Sequence, residues 1–207
     1  MEGENTRSPS TRRRAPVLRH RRGRAERTLG LVRGLLRGLE PGDVSDVLVI
    51  GSGSGRIVGG LAAAYPFRVV GVDLDEERTA EARSSYGTVE RTRFETSDPR
   101  RLPFAAASFD LVVTQASYHR PAEWQAALEE AGRVLRPAGH LFWLDLEVEP
   151  EQRTLLRLWR HRYGLYTPDE VRAAHGGATA SGSHFRRLAR PETRREPLVL
   201  VKEPRAA

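Results

Sequence analysis

Cysteine is absent from this 207-residue chain. That excludes disulfides, thiolate zinc sites and a cysteine nucleophile. Lysine is almost absent as well: Lys202 is the single one, so nearly every positive charge is an arginine. No apolar run approaches the roughly 18 residues needed to cross a bilayer, and the arginine-rich opening lacks the apolar core of a secretory signal. A soluble, cytoplasmic protein with no membrane association is the expectation. The six histidines (20, 119, 140, 161, 175 and 184) have no metal-ligand spacing. No internal repeat is present, and no insertion is long enough for a second domain.

What is present begins with charge. Of the formal +7, a net +6 falls within residues 1–27, where nine arginines face only Glu2, Glu4 and Glu26. The chain-wide bias toward arginine, alanine, glycine and proline fits a GC-rich genome, whereas the clustering is a separate feature. Residues 1–23 combine Ser, Pro, Gly and Arg with few apolar side chains, a composition that buries too little surface to offset chain entropy. The expected organisation is a disordered basic arm over 1–23 and a single domain over 24–207. The arm reads either as a solvated tail or as an electrostatic tether to RNA, DNA or another acidic surface.

The domain opens with Leu29, Val32, Leu35, Leu36 and Leu39 at helical spacing, predicting an amphipathic helix over Arg24–Leu39 that Pro41-Gly42 ends. Val47-Leu48-Val49-Ile50 then runs into Gly51-Ser52-Gly53-Ser54-Gly55. An apolar run stopped by glycines predicts a buried parallel strand followed by a tight turn that approaches a ligand closely. Arg56–Ala64 reads as a helix whose N-terminus faces that ligand, and Phe67–Val72 as a second strand ending on Asp73-Leu74-Asp75. A carboxylate about 20 residues beyond a glycine loop is what a β-α-β unit needs to reach the ribose hydroxyls of a nucleoside. A dinucleotide fingerprint would require glycine where Arg56 stands, which disfavours a nicotinamide oxidoreductase.

Further along, the pattern predicts a helix over Glu76–Tyr86, a polar edge strand over Glu90–Thr96 and a buried strand at Phe109–Val113. A helix over Pro121–Val134, a strand over Leu141–Leu146, helices at Glu151–Tyr163 and from Thr167 to Gly176, and strands at Phe185–Ala189 and Leu198–Lys202 follow.

Four stretches together resemble class I S-adenosylmethionine-dependent methyltransferases of the type-11 group. They are the glycine loop, Asp73, the string Asp98-Pro99-x-x-Leu102-Pro103-Phe104 with Ser108-Phe109-Asp110-Leu111-Val112-Val113, and the turn Arg133-Val134-Leu135-Arg136-Pro137-Ala138-Gly139. Two letters depart from the family pattern: Val49 stands at its usual acidic position, and Ala138 replaces a glycine. The resemblance implies an α/β fold with a doubly wound, mostly parallel seven-stranded sheet binding S-adenosylmethionine at the carboxyl ends of its strands. It also implies that Gly51, Gly53 and Gly55 border the methionine portion, Asp73 takes the ribose, Leu74 packs on the adenine, and Asp98, followed by Pro99, meets the adenine amino group.

Gln115, at the tip of the fourth strand, is read as touching cofactor or acceptor, and His119 as a candidate general base. With no cysteine, methylation at pyrimidine C5 is excluded. Thr114-Gln115-Ala116-Ser117 stands where exocyclic amino methylation of nucleic acids usually has an Asn/Asp-Pro-Pro-aromatic loop. The expected activity is methyl transfer to O, N or C of a small molecule. Two alternatives stay open, a non-catalytic binding module, motivated by Val49, and an RNA-associated methyltransferase recruited by the basic arm.

Overall fold

The computed structural model describes residues 25–39, 42–115, 124–144, 184–187 and 198–203. The expected helices at Glu151–Tyr163 and Thr167–Gly176, the basic arm and His119 lie outside the described residues.

Residues 25–36 form helix α1. It ends earlier than its apolar periodicity predicts, because Gly38 N–H turns back to the Leu35 carbonyl at 3.0 Å and closes a tight final turn. Strand β1 (Asp46–Ile50), helix α2 (Arg56–Ala64), strand β2 (Arg68–Asp73), helix α3 (Glu76–Tyr86) and strand β3 (Thr92–Thr96) follow. Next come β4 (Phe109–Gln115), α4 (Trp124–Val134), β5 (Leu135–Leu144), β6 (His184–Arg187) and β7 (Leu198–Glu203). They build one sheet in the order β3-β2-β1-β4-β5-β7-β6. The first five strands are parallel, and β7 pairs antiparallel with both β5 and β6. The doubly wound, mostly parallel architecture expected from the sequence is therefore the one observed.

Side chains alternate across β1, so each face receives half of its apolar run. Leu48 and Ile50 pack with Leu128, Ala131 and Trp143 on the α4 side. Val47 and Val49 pack with Val32, Ile57, Leu61 and Phe142 on the α1 and α2 side. Gly71, beside Val49 in the register, allows α2 to approach: a Cβ there would stand 2.8 Å from Val58 and 2.9 Å from the Ser52 Cβ.

Most strand limits fall within a residue or two of expectation, and two strand starts, those of β3 and β5, differ by two residues or more. β3 begins at Thr92 because Arg91 takes φ +67°, a turn that no glycine announces. The expected turn at Arg136-Pro137-Ala138-Gly139 is absorbed into β5, with a register shift opposite β4 between Phe109 and Leu111. Ala138 sits at φ +64°, which accounts for the glycine usual at this place.

The amino end of the sheet is closed by charge. The Asp110 carboxylate accepts the backbone N–H groups of Ser45 and Asp46 at 3.0 and 2.9 Å, and Arg136 donates to Asp110 at 2.7 Å and Asp46 at 3.1 Å. Hydrogen bonds from Arg68, and then from Arg136, hold the Asp46 carboxyl below its usual range against the cost of burial. For Asp110, burial acts upward, but the Asp46 N–H, Arg136 and the Ser45 N–H together lower it.

A carboxylate whose folded pKa lies below its unfolded value contributes stability fully above that unfolded value and loses it as pH falls through the folded one. The urea midpoint is therefore expected to hold near neutrality and fall steadily below about pH 4. Asp110→Asn should be less stable at neutral pH yet fall less on acidification. A wild-type midpoint that stays flat down to about pH 2.5 would contradict this origin.

Candidate functional site

The strand order reverses between β1 and its two parallel neighbours, β2 on one side and β4 on the other. In an open α/β sheet such a reversal leaves a crevice at the carboxyl ends of the strands. Gly51 to Gly55 lie there. Gly51 and Ser52 N–H groups both donate to the Val72 carbonyl, at 2.8 and 2.9 Å, so the loop leaves β1 still tied to β2. Gly51, Gly53 and Gly55 take φ +76°, +53° and +81°, and Gly55 N–H closes on the Ser52 carbonyl at 3.0 Å. Gly55 is also the N-cap of α2, so the unpaired N–H groups of that helix open onto the crevice.

Asp73, the last residue of β2, joins the loop. Its Oδ2 accepts the Gly53 N–H at 2.8 Å and its Oδ1 accepts the Asp75 N–H at 3.0 Å. A carboxylate has about four acceptor positions, so the described residues leave two for further donors. Leu74 follows and is 67% exposed, unlike the rest of the large apolar residues described apart from Leu31. Asp75 caps α3 by accepting the Arg78 N–H at 3.2 Å.

The end of β3 lies alongside, since Ser97 N–H donates to the Asp73 carbonyl at 3.0 Å. Asp98 there is bound by its near neighbour: Arg100 donates its backbone N–H at 2.9 Å and its guanidinium at 2.6 to 3.0 Å. That contact, opposed by burial, lowers the Asp98 pKa and keeps the carboxyl ionised. Pro99 occupies the turn between them and is half-buried.

The segment beyond is clamped by α4. Glu130 accepts the Leu102 N–H at 2.8 Å, while Arg133 donates to the carbonyls of Phe104 and Leu102 at 2.8 and 3.0 Å and pairs with Glu130 at 2.6 Å. Hydrogen bonding to Glu130 outweighs burial and raises the Arg133 pKa, so the clamp stays charged. Sequence reasoning missed Glu130, and it placed Arg133 only at the head of the family-like turn, without this role; an acid and a base three apart in the last turns of a helix were the signal of the pair.

Gln115 ends β4 one residue after Thr114, the register partner of Ile50, and so stands beside the start of the glycine loop. Its Nε2 donates to Thr28 Oγ1 of α1 at 2.8 Å. Thr28, only 6% exposed, was also missed. Gly51, Gly53, Gly55, Asp73, Leu74, Asp98, Pro99 and Gln115 thus come from β1, β2, β3 and β4 to one end of the sheet.

These residues fit an adenosyl group linked to an amino acid. Among the described residues, none stands within 4 Å of a Cβ built at Gly53, two acceptor positions of Asp73 are left over, and Leu74 presents an apolar face. Inside the loop, the buried Ser52 hydroxyl has no hydrogen-bond partner among the described residues. Val49, at the position the family usually fills with an acid, is fully buried.

Residues 47–139 match the family described as "Methyltransferase domain". The chain is 32% identical over 111 residues to the O-methyltransferase cnsE of Penicillium expansum, covering 52% of this chain and 40% of that one. It is 33% identical over 120 residues to the 27-O-demethylrifamycin SV methyltransferase of Amycolatopsis mediterranei, covering 56% of this chain and 44% of that one. The chain thus spans less than half the length of these two relatives. Among solved structures, CalS10, an amino pentose methyltransferase from Micromonospora echinaspora with S-adenosylmethionine bound, superimposes with a TM-score of 0.68. That match has 18% identity and covers 97% of this chain and all of the other. Residues 47–139 thus match a methyltransferase domain, and the fold is that of CalS10, a methyltransferase solved with S-adenosylmethionine bound. No helix among the described residues is long and apolar enough to cross a membrane.

Proposed function

We propose that this protein transfers a methyl group from S-adenosylmethionine to an oxygen, nitrogen or carbon of a small-molecule acceptor. The observation that carries the reading is the 2.8 Å hydrogen bond from Gly53 to Asp73, which holds a carboxylate against the glycine loop where the strand order reverses. Gly51, Gly53 and Gly55 would border the methionine portion and Asp73 would accept from the ribose hydroxyls. Leu74 would pack on the adenine, Asp98 with Pro99 would meet its amino group, and Gln115 would touch cofactor or acceptor. The names of the relatives, two of them O-methylating, favour oxygen as the acceptor atom.

When bound, S-adenosylmethionine supplies a methyl group on a positively charged sulfur. In-line transfer disperses that charge, so the chain contributes mainly by aligning the two reactants and excluding water. A base is needed only where the acceptor begins protonated. His119 is the candidate, because an imidazole accepts a proton near neutral pH.

The test is incubation of the purified protein with methyl-labelled S-adenosylmethionine and a fractionated metabolite extract. Label is expected in a small organic product. Label found only in RNA, or in no fraction despite bound cofactor, would overturn the small-molecule reading.

A further inference from the structure

Helix α1 meets the site through a polar contact between residues 87 positions apart, the hydrogen bond from Gln115 Nε2 to Thr28 Oγ1. Thr28 is buried on a helix face that otherwise carries Leu29, Val32 and Leu36. Further along, α1 is also fastened to the body of α2. Arg33 donates to the Gly60 carbonyl at 3.1 Å, and Leu29 lies so close to Gly60 that a Cβ there would stand 2.4 Å from its Cδ2. Among the described residues, Thr28 thus ties this helix to a strand tip at the crevice.

The helix has little stability of its own. Gly30 and Gly34 are exposed within it, and glycine is the weakest helix former after proline. Among the described residues no packing explains Gly30, since a Cβ there would meet none of them within 4 Å. A helix so composed holds its place through tertiary contacts, and one of those contacts is made to a residue of the site.

We propose that Thr28 is a positioning residue for Gln115, and that this hydrogen bond couples the docking of α1 to occupancy of the cofactor crevice. The proposal rests on the reading of Gln115 as a residue that touches cofactor or acceptor. A glutamine side chain has three rotatable bonds, and donation to Thr28 fixes the plane of its amide before any ligand arrives. The coupling is reciprocal: if docked α1 raises ligand affinity by some factor, bound ligand favours docked α1 by the same factor.

The test uses the full chain, with S-adenosylhomocysteine as the calorimetric probe. Thr28→Val keeps the branched shape and removes only the hydroxyl, while Thr28→Ser keeps the hydroxyl. Thr28→Val is expected to weaken binding about five- to tenfold, as loss of one hydrogen bond would. Thr28→Ser should stay within about twofold of wild type. Thr28→Val combined with Gln115→Ala should be no weaker than Gln115→Ala alone. Ligand should slow hydrogen exchange across residues 25–36 in the wild type and leave it unchanged in Thr28→Val.

Wild-type affinity in Thr28→Val, or additive losses in the double variant, would overturn the coupling alone. No binding by the wild type would overturn the cofactor reading and the coupling with it.

Discussion

Asp73→Ala is expected to lower affinity for S-adenosylmethionine and S-adenosylhomocysteine at least a hundredfold. The carboxylate would accept two ribose hydroxyls, and a hydrogen bond to a charged group contributes about 1.5 to 3 kcal/mol. Two such bonds amount to about 3 to 6 kcal/mol, or roughly two to four orders of magnitude in affinity. The same change leaves the Gly53 and Asp75 N–H groups without their acceptor, so the loop loses its side-chain tie to β2 at Gly53 while Gly51 and Ser52 stay bonded to the Val72 carbonyl. Asp73→Asn separates the two roles. It keeps one acceptor oxygen for the backbone and loses the charge, and should fall between wild type and Asp73→Ala. Calorimetric titration with S-adenosylhomocysteine decides the matter, and an Asp73→Ala affinity within about threefold of wild type would remove Asp73 from the site.

The second large effect is expected at Gly55, on stability rather than binding. At φ +81° an L-residue carries a cost of about 1 to 2 kcal/mol, and a new Cβ would stand 3.0 Å from both the Ala82 Cβ and the Phe94 ring. Overpacking of this kind adds about 1 to 3 kcal/mol. Gly55→Ala should therefore lose about 2 to 5 kcal/mol, read from urea unfolding at neutral pH. Gly53→Ala provides the contrast. At φ +53°, with none of the described residues within 4 Å of the new Cβ, it should carry only the backbone cost. Equal losses at the two positions would show that packing under the loop is not what requires a glycine at 55.

The elements that could be read from the sequence are those whose signal is local. β1 and β4 are apolar runs buried from both faces, and α2 and α3 match their expected bounds, α3 starting at an aspartate that does cap it. The misread limits involve backbone angles the sequence does not advertise, Arg91 and Ala138 at positive φ without a glycine. The same division runs through the site. The glycine loop and Asp73 are legible because one β-α-β unit brings them together. Thr28 against Gln115, and Arg133 against Phe104, are separated by 87 and 29 residues, and neither member of either pair has a pattern that names its partner. Arg100 is a different case. It stands two residues from Asp98, and their pairing became visible only once the turn at Pro99 had a shape.

The scarcity of lysine acquires a practical meaning from where Lys202 lies. Its ammonium group donates to the carbonyls of Gly132 and Leu135, at 2.7 and 2.6 Å, and so joins β7 to the end of α4 and the start of β5. Amine-directed reagents find one side-chain target in this chain, and that target is held inside a joint. Acylation at Lys202 therefore reports how often the antiparallel edge lifts from the parallel sheet, a natural single-site probe of that seam.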